Sequence, residues 1–473
     1  MVKIFFAILF FGNLLNAQNK QLLYDFIEIP QALIVNPGME TGFQWHAGIP
    51  MLSGLSFHTG TSGVSVNDLF ANDGLDFTQK FTERVLDGLS HRDEISTNFQ
   101  IEVFSGGFRI ANKPDQYYSF GMYVESDFIN YWPKDLAILG FEGNADNLNR
   151  EFDLGHLKTR GELLSVFHIG INKKIDRNLT IGARAKLYSS IFNLNSTRNK
   201  GYFVTTEGQN NIYSNTLDAD MELRSSGIQE ILDDDSLDLS RTLTKRALFG
   251  GNLGLGLDIG FTYSLTDQTV FTGSILDIGF VYHNKDIKNY TLNGRATVEG
   301  IEIILPQALA NPNADFWQDL VDEIEEIVPF DNNENGFVTF RPTKLNASIR
   351  YNFGEPSLST EDCNCGPDTY LNDSRIKYVN SIGGQIFVIN RPRGPQAALT
   401  AFYQRRFGKS LALKTTYTID KFSFSNIGVG INSQIGPVNF YIMADNLLAY
   451  NNIADTHYAS FQLGLNIISW EKK

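Results

Sequence analysis

From Asn252 to Tyr263 the apolar and polar side chains alternate without a break. Leu253, Leu255, Leu257, Ile259, Phe261 and Tyr263 hold one parity; Asn252, Gly254, Gly256, Asp258, Gly260 and Thr262 hold the other. A period of two belongs to a strand whose faces meet different surroundings. Twelve residues is about double the usual length of a half-buried strand in a soluble protein. The pattern returns four times. Leu179, Ile181, Ala183, Ala185 and Leu187 alternate with Thr180, Gly182, Arg184 and Lys186. Leu345, Ala347, Ile349, Tyr351 and Phe353 alternate with Asn346, Ser348, Arg350 and Asn352. Ile427, Val429 and Ile431 lie between Asn426, Gly428, Gly430 and Asn432, and Phe461, Leu463, Leu465 and Ile467 between Ser460, Gln462, Gly464 and Asn466. Charges stay on the polar parity throughout, as they must when the other face meets hydrocarbon. The chain is therefore expected to be all-β, a transmembrane antiparallel β-barrel. Leu257→Arg should then harm insertion far more than Gly256→Arg.

Short turns separate these strands at Lys174–Asn178, Leu265–Gln268, Phe407–Ser410 and Ile435–Pro437. Tight connections belong at the periplasmic end and long polar ones outside. Long excursions are expected at 64–94, 127–160, 193–247, 304–336 and 354–376. Counting the alternating segments gives about 14 strands, with 12 and 16 as the neighbouring even counts. Two excursions carry helical spacing, from Val66 to Leu86 and from Phe316 to Ile327, the second with Asn313 or Asp315 as cap. The last strand, Tyr458 to Ile468, is followed by Trp470, which fits an interfacial girdle. It leaves no room for a further C-terminal domain.

The N-terminus changes the picture. Met1-Val2-Lys3 precedes an unbroken apolar run from Ile4 to Phe11, and Leu14-Leu15-Asn16-Ala17 leads into Gln18. This reads as a secretory signal peptide, residues 1–17, cleaved after Ala17. No cysteine follows the apolar core, which excludes lipoprotein processing. Residues 18–42 then form an N-terminal segment that could occupy the lumen, and 43–473 the barrel. Export and barrel together place the protein in a bacterial outer membrane, with outer-membrane lipid as its first partner. Composition agrees: 36 Phe and 19 Tyr with only 14 Pro lean toward β-structure. A net charge of −14 argues against nucleic acid as a partner.

The opening Ala32-Leu33-Ile34-Val35-Asn36-Pro37-Gly38-Met39, then Ala47-Gly48-Ile49-Pro50-Met51-Leu52-Ser53-Gly54, resembles a Bacteroidota outer-membrane barrel family labelled domain of unknown function 5723. Val166–Leu187, Asn252–Tyr282 with its Asp258-Ile259-Gly260 and Asp277-Ile278-Gly279, and Ile427–Leu447 ending in Ala444-Asp445-Asn446 extend the resemblance over nearly the whole mature chain. More distantly the opening is similar to FadL-like transporters and to the PorV barrel of type IX secretion. These likenesses imply either passage of small or hydrophobic solutes or service beside another outer-membrane machine.

No catalytic, cofactor-binding or metal-binding residue stands out, so the expected protein is not an enzyme and carries no cofactor; ligand-binding residues are not identifiable. There is no Gly-x-Ser-x-Gly elbow and no His-Glu-x-x-His. His168 lies on the lumenal parity between Phe167 and Ile169, without a nucleophile that would make it a general base. Asp331–Gly336 begins like a calcium loop, but its twelfth position is Pro342 where a bidentate glutamate is needed. Asp233-Asp234-Asp235 reads as a solvated charge run. Cys363 and Cys365, the only cysteines, are too few for a zinc site and read as a loop. Two functional readings stay open. One is a transport barrel with residues 18–34 as plug; the other is an accessory barrel that docks another outer-membrane protein.

Overall fold

The computed structural model describes residues 20–86, 88–208, 212–233, 236–299, 330–354, 378–408, 410–422, 426–447 and 457–470. The expected leader at 1–17, the expected helix at Phe316–Ile327 and the two cysteines Cys363 and Cys365 lie outside them. The alternating segments close into one antiparallel barrel of fourteen strands. Strand β1 is broken into Phe43–Gly48 and Leu55–Thr61, and both halves pair with the first and the last continuous strands. The wall continues with β2 (Glu94–Ile110), β3 (Lys113–Tyr131), β4 (Thr159–Lys174), β5 (Leu179–Glu207) and β6 (Asn252–Ser264). It then runs through β7 (Thr269–His283), β8 (Lys344–Phe353), β9 (Asn380–Arg391) and β10 (Gly394–Phe407). Strands β11 (Leu411–Ile419), β12 (Asn426–Ile435), β13 (Val438–Asp445) and β14 (Tyr458–Trp470) complete it. Closure leaves no sheet edge within the wall, which lipid would not tolerate.

The faces follow the alternation. Leu255, Ile349, Ile386, Leu399 and Ile431 stand on the outside, each 40–59% exposed. Their polar neighbours Asp258, Arg350, Gln385, Thr400 and Asn432 are buried. Apolar outside and polar inside is the inverse of a soluble protein, and it defines a membrane-spanning barrel with a polar lumen. Among the described residues no helix is long and apolar enough to cross a membrane.

Three expectations about the connections need correction. The excursion placed at 193–247 is largely strand. β5 runs 29 residues and rises above the membrane zone, where Tyr213–Ser226 and then Ile287–Glu299 pair beside it. This extension is covered in part by the 134–153 connection, with Phe203 against Phe152 and Thr205 under Asn144, so it carries no regular lipid-and-lumen alternation to read. The connection at 354–376 leaves from the tight-turn end: Phe353 pairs with Asn380, and Tyr351 with Thr269 next to the Leu265–Gln268 turn. Chain parity, rather than loop length, sets the end. Trp470 sits on the inward parity of β14 and packs 4.8 Å from the Phe43 ring, so it closes the floor of the barrel instead of joining an outer girdle. The Val66–Leu86 expectation holds: helical turns at Val66–Phe70, Phe77–Lys80 and Phe81–Leu86 lie between β1 and β2.

Candidate functional site: a filled lumen

Residues 20–41 run inside the barrel as a chain of tight turns, each closed by a backbone bond three or four residues back, such as Leu23 to Lys20, Phe26 to Leu23 and Ile29 to Phe26. Its polar backbone is satisfied mainly from the wall. Asn172 of β4 donates to the Pro37 and Met39 carbonyls (2.9 and 2.7 Å), and Arg184 of β5 to those of Ile34 (3.1 Å) and Leu33. Thr262 of β6 donates to Gly38 O at 2.9 Å, and Ser274 of β7 to Val35 O at 2.6 Å. On the opposite wall Arg350 of β8, Gln385 of β9 and Lys414 of β11 donate to the carbonyls of Asp25, Gln21 and Tyr24. Such bonds matter because an unpaired buried carbonyl costs about 1–3 kcal/mol.

Side chains complete the attachment. Gln31 donates to Glu102 of β2 and to Asn466 of β14, both at 2.8 Å. Asp25 faces Arg350 at 4.0 Å, Glu28 pairs with Arg406 and accepts from Gln404 at 2.9 Å, and Glu40 pairs with Lys174 at 2.7 Å. The apolar side chains of the segment, among them Leu22, Phe26, Ile29 and Leu33, form a buried cluster with Tyr117, Tyr441 and Ile468 of the wall. This is an apolar island in a polar lumen. Near its exit the segment touches the wall backbone to backbone. A Cβ on Gly182 would lie 1.9 Å from Pro37 O, and one on Gly260 2.2 Å from Asn36 Oδ1. Gly182 and Gly260 are cross-strand partners, so together they form a socket for Asn36-Pro37-Gly38.

Beyond the segment, toward the long-loop end, lies a continuous buried ion network. Asp258 meets Arg184 (3.2 Å) and Lys186 (2.8 Å); Lys186 meets Asp277 (2.6 Å); Lys344 bridges Asp277 (3.0 Å) and Glu125 (3.1 Å). Arg341 joins Glu125 at 2.9 Å and also Glu162. Asp277 is built for this position. It sits at a bulge between Ile275 and Ile278 with φ +58°, and its amide donates to Asp258 Oδ1 at 2.7 Å. The bulge turns a charged side chain inward and spends backbone strain on doing so. The two Asp-Ile-Gly stretches are therefore one site. Alternation could have placed Asp258, Arg184, Lys186 and Glu125 in the lumen; it could not have predicted the bulge.

Among the described residues, small cavities lie beside the segment. One of about 30 Å³ lies among Lys20, Gln100, Glu125, Asp277 and Lys344, and one of about 10 Å³ among Gln31, His46, Glu102 and His168. Each is the size of a water molecule or less. His168 is inward and buried as its parity implies, and its ring contacts Tyr123 at 5.8 Å. At the long-loop mouth, Arg393 in the β9–β10 turn donates to Gly155 O (3.5 Å), His156 O (3.3 Å) and His91 O, and Lys421 to Arg92 O (2.6 Å) and Glu94 (2.8 Å). Loops from four hairpins are tied across the opening.

The fold and lumen define a transmembrane β-barrel filled by its own N-terminal segment. The chain belongs to the family of unknown function DUF5723, whose model matches residues 37–445. No curated protein matches it. Among solved structures, it is similar to the toluene transporter TbuX of Ralstonia pickettii at 9% identity and TM-score 0.39, over 93% of this chain and 94% of that one. The toluene transporter TodX of P. putida gives 10% and 0.35, over 97% and 95%. A Pseudomonas aeruginosa FadL homologue gives 7% and 0.40, over 93% and 94%.

Proposed function

We propose that the protein is a non-enzymatic transport barrel of a bacterial outer membrane, passing small or hydrophobic solutes through a lumen that residues 18–42 plug and unplug. Residues 1–17 act as a cleaved export signal, and the tight-turn end faces the periplasm. One observation carries the reading: the lumen is filled by residues 20–41, held by hydrogen bonds and ion pairs from strands all round the wall. Polar attachments of this kind can be exchanged for water one by one, whereas the wall is a closed ladder to which the segment contributes no strand. The buried apolar cluster on the segment offers an apolar solute a surface to replace. The test is solute uptake by proteoliposomes carrying the protein or a variant lacking residues 18–34. The deletion should raise the flux of a small apolar solute and of ions at least tenfold. A deletion variant that folds and inserts yet transports no more than the full chain would sink the plug.

A further inference from the structure

Three carboxylates of the plug face cations of the wall, while its one cation, Lys20, donates to Gln100 of β2. Wall residues Lys174, Arg350 and Arg406 meet their carboxylate partners on the plug, at Glu40, Asp25 and Glu28. Lys414, fully buried, donates to a plug carbonyl, Tyr24 O, and lies over the Phe402 ring at 4.5 Å. Arg350, Arg406 and Lys414 come from β8, β10 and β11 on one side of the wall and face the same stretch of plug, Tyr24 to Glu28. Of the fixed anions near this zone, Asp258 keeps Arg184 and Lys186, whereas Asp445, which accepts from Ser460 at 2.6 Å, and Glu102, tied to the plug through Gln31, stay on the wall. Arg350, Arg406 and Lys414 outnumber these two carboxylates once the plug has left.

We infer that displacing the plug uncovers an anion-binding stretch of lumen, formed by Arg350, Arg406 and Lys414, and that the open barrel selects anionic solutes or solutes bearing an anionic group. The inference rests on the plug reading. Its physical basis is that the three cations stay on the wall while Asp25 and Glu28 leave with the plug. Rings of arginine and lysine at a constriction favour anions. The chain as a whole is strongly acidic, with a net charge of −14. A local excess of positive charge in the lumen is thus a property of this site and not of the composition. In the closed state the plug carboxylates act as resident anions that an incoming one replaces.

The experiment is planar-bilayer recording in a potassium chloride gradient on two variants, one lacking residues 20–28 and one lacking 18–34. The shorter deletion removes Asp25 and Glu28 but keeps the Asn36-Pro37-Gly38 seat, so it retains a folded barrel where the longer one fails. A heat-modifiable gel band establishes folding for each. The open channel should show a reversal potential of chloride sign, with a chloride-to-potassium permeability ratio of roughly fivefold, the weight of one uncompensated unit charge at about 4 Å in water. Substituting Arg350→Gln, Arg406→Gln and Lys414→Gln together in the deleted background should bring the ratio close to one. A conducting variant with no anion preference, or with a preference indifferent to the three substitutions, overturns the inference and leaves the plug reading standing. Folded variants that carry no current overturn both.

Discussion

Leu257 and Gly256 show how far apart two adjacent side chains stand in such a wall. Leu257 is on the lipid face, 41% exposed, so Leu257→Arg carries a charge into hydrocarbon at a cost of about 2–4 kcal/mol near the midplane. The expected result is a loss of the folded band in detergent or vesicles, with Leu257→Ala as a tolerated control. Gly256 is not the harmless inward site that alternation implied, because a Cβ there would meet the Tyr188 hydroxyl at 2.2 Å. Gly256→Arg is therefore damaging as well, through packing instead of solvation. Gly182 and Gly260 act differently again, since what a side chain would strike is the plug. Gly182→Ala or Gly260→Ala should leave the barrel assembled and unseat Asn36-Pro37-Gly38. A several-fold rise in ion leak from vesicles would report this; tight vesicles would mean that the socket does not hold the plug.

Among the elements, the helical turns between β1 and β2 are capped with help from Asp68 and Asp76 and tied together by a third carboxylate, Asp73. Asp73 pairs with Lys80 at 3.0 Å and Arg84 at 2.6 Å, and the hydrogen bond from Lys80 is foremost in holding its carboxyl down to about 2, below the usual 3.8. A depressed carboxylate contributes stability that is present above the unfolded value and lost as pH falls through the folded one. The turns at Phe77–Leu86 should keep their hydrogen-exchange protection from neutral pH to about 4 and lose it between about 4 and 2. In Asp73→Asn protection should be lower at neutral pH and flat with pH; an unchanged acid transition in that variant would exclude Asp73 as its source. The strand β7 illustrates a second element-scale device, in which a bulge at Asp277 trades regular pairing for an inward charge between Lys186 and Lys344.

At the scale of the molecule two kinds of interior coexist. The segment supplies an apolar cluster at the tight-turn end, while the network from Arg184 to Glu162 supplies a polar lining toward the loops. Removing one member of a buried ion set costs roughly 3–5 kcal/mol, so the lining is a fixed part of the wall and stays in place when the segment leaves. The segment is held by bonds that water can replace, and under the proposed function it is the part that moves. The plug-deleted barrel should thus melt lower than the full chain, having lost its apolar cluster, yet retain all fourteen strands in the wall, whose ladder is complete without it.

Strand faces were legible from the chain alone because lipid on one side and a polar lumen on the other impose a period of two on every wall strand. The parity of Leu253–Tyr263, the turns at Lys174–Asn178 and Leu265–Gln268, and the inward place of His168 all follow from that local rule. Where the rule has no purchase, the sequence was silent or misleading. Above the membrane β5 is covered in part by the 134–153 connection instead of meeting lipid and lumen, so 193–207 read as loop although it is strand. The end at which 354–376 emerges depends on counting strands, which no local pattern does. The meeting of Asp258 with Asp277, and of Asn36-Pro37-Gly38 with Gly182 and Gly260, depends on closure of the barrel around its own N-terminal segment. Alternation is a statement about each residue and its solvent, and the sequence determines it by itself. Which charges and which glycines meet inside the lumen is a statement about residues hundreds of positions apart, and only the tertiary structure decides it.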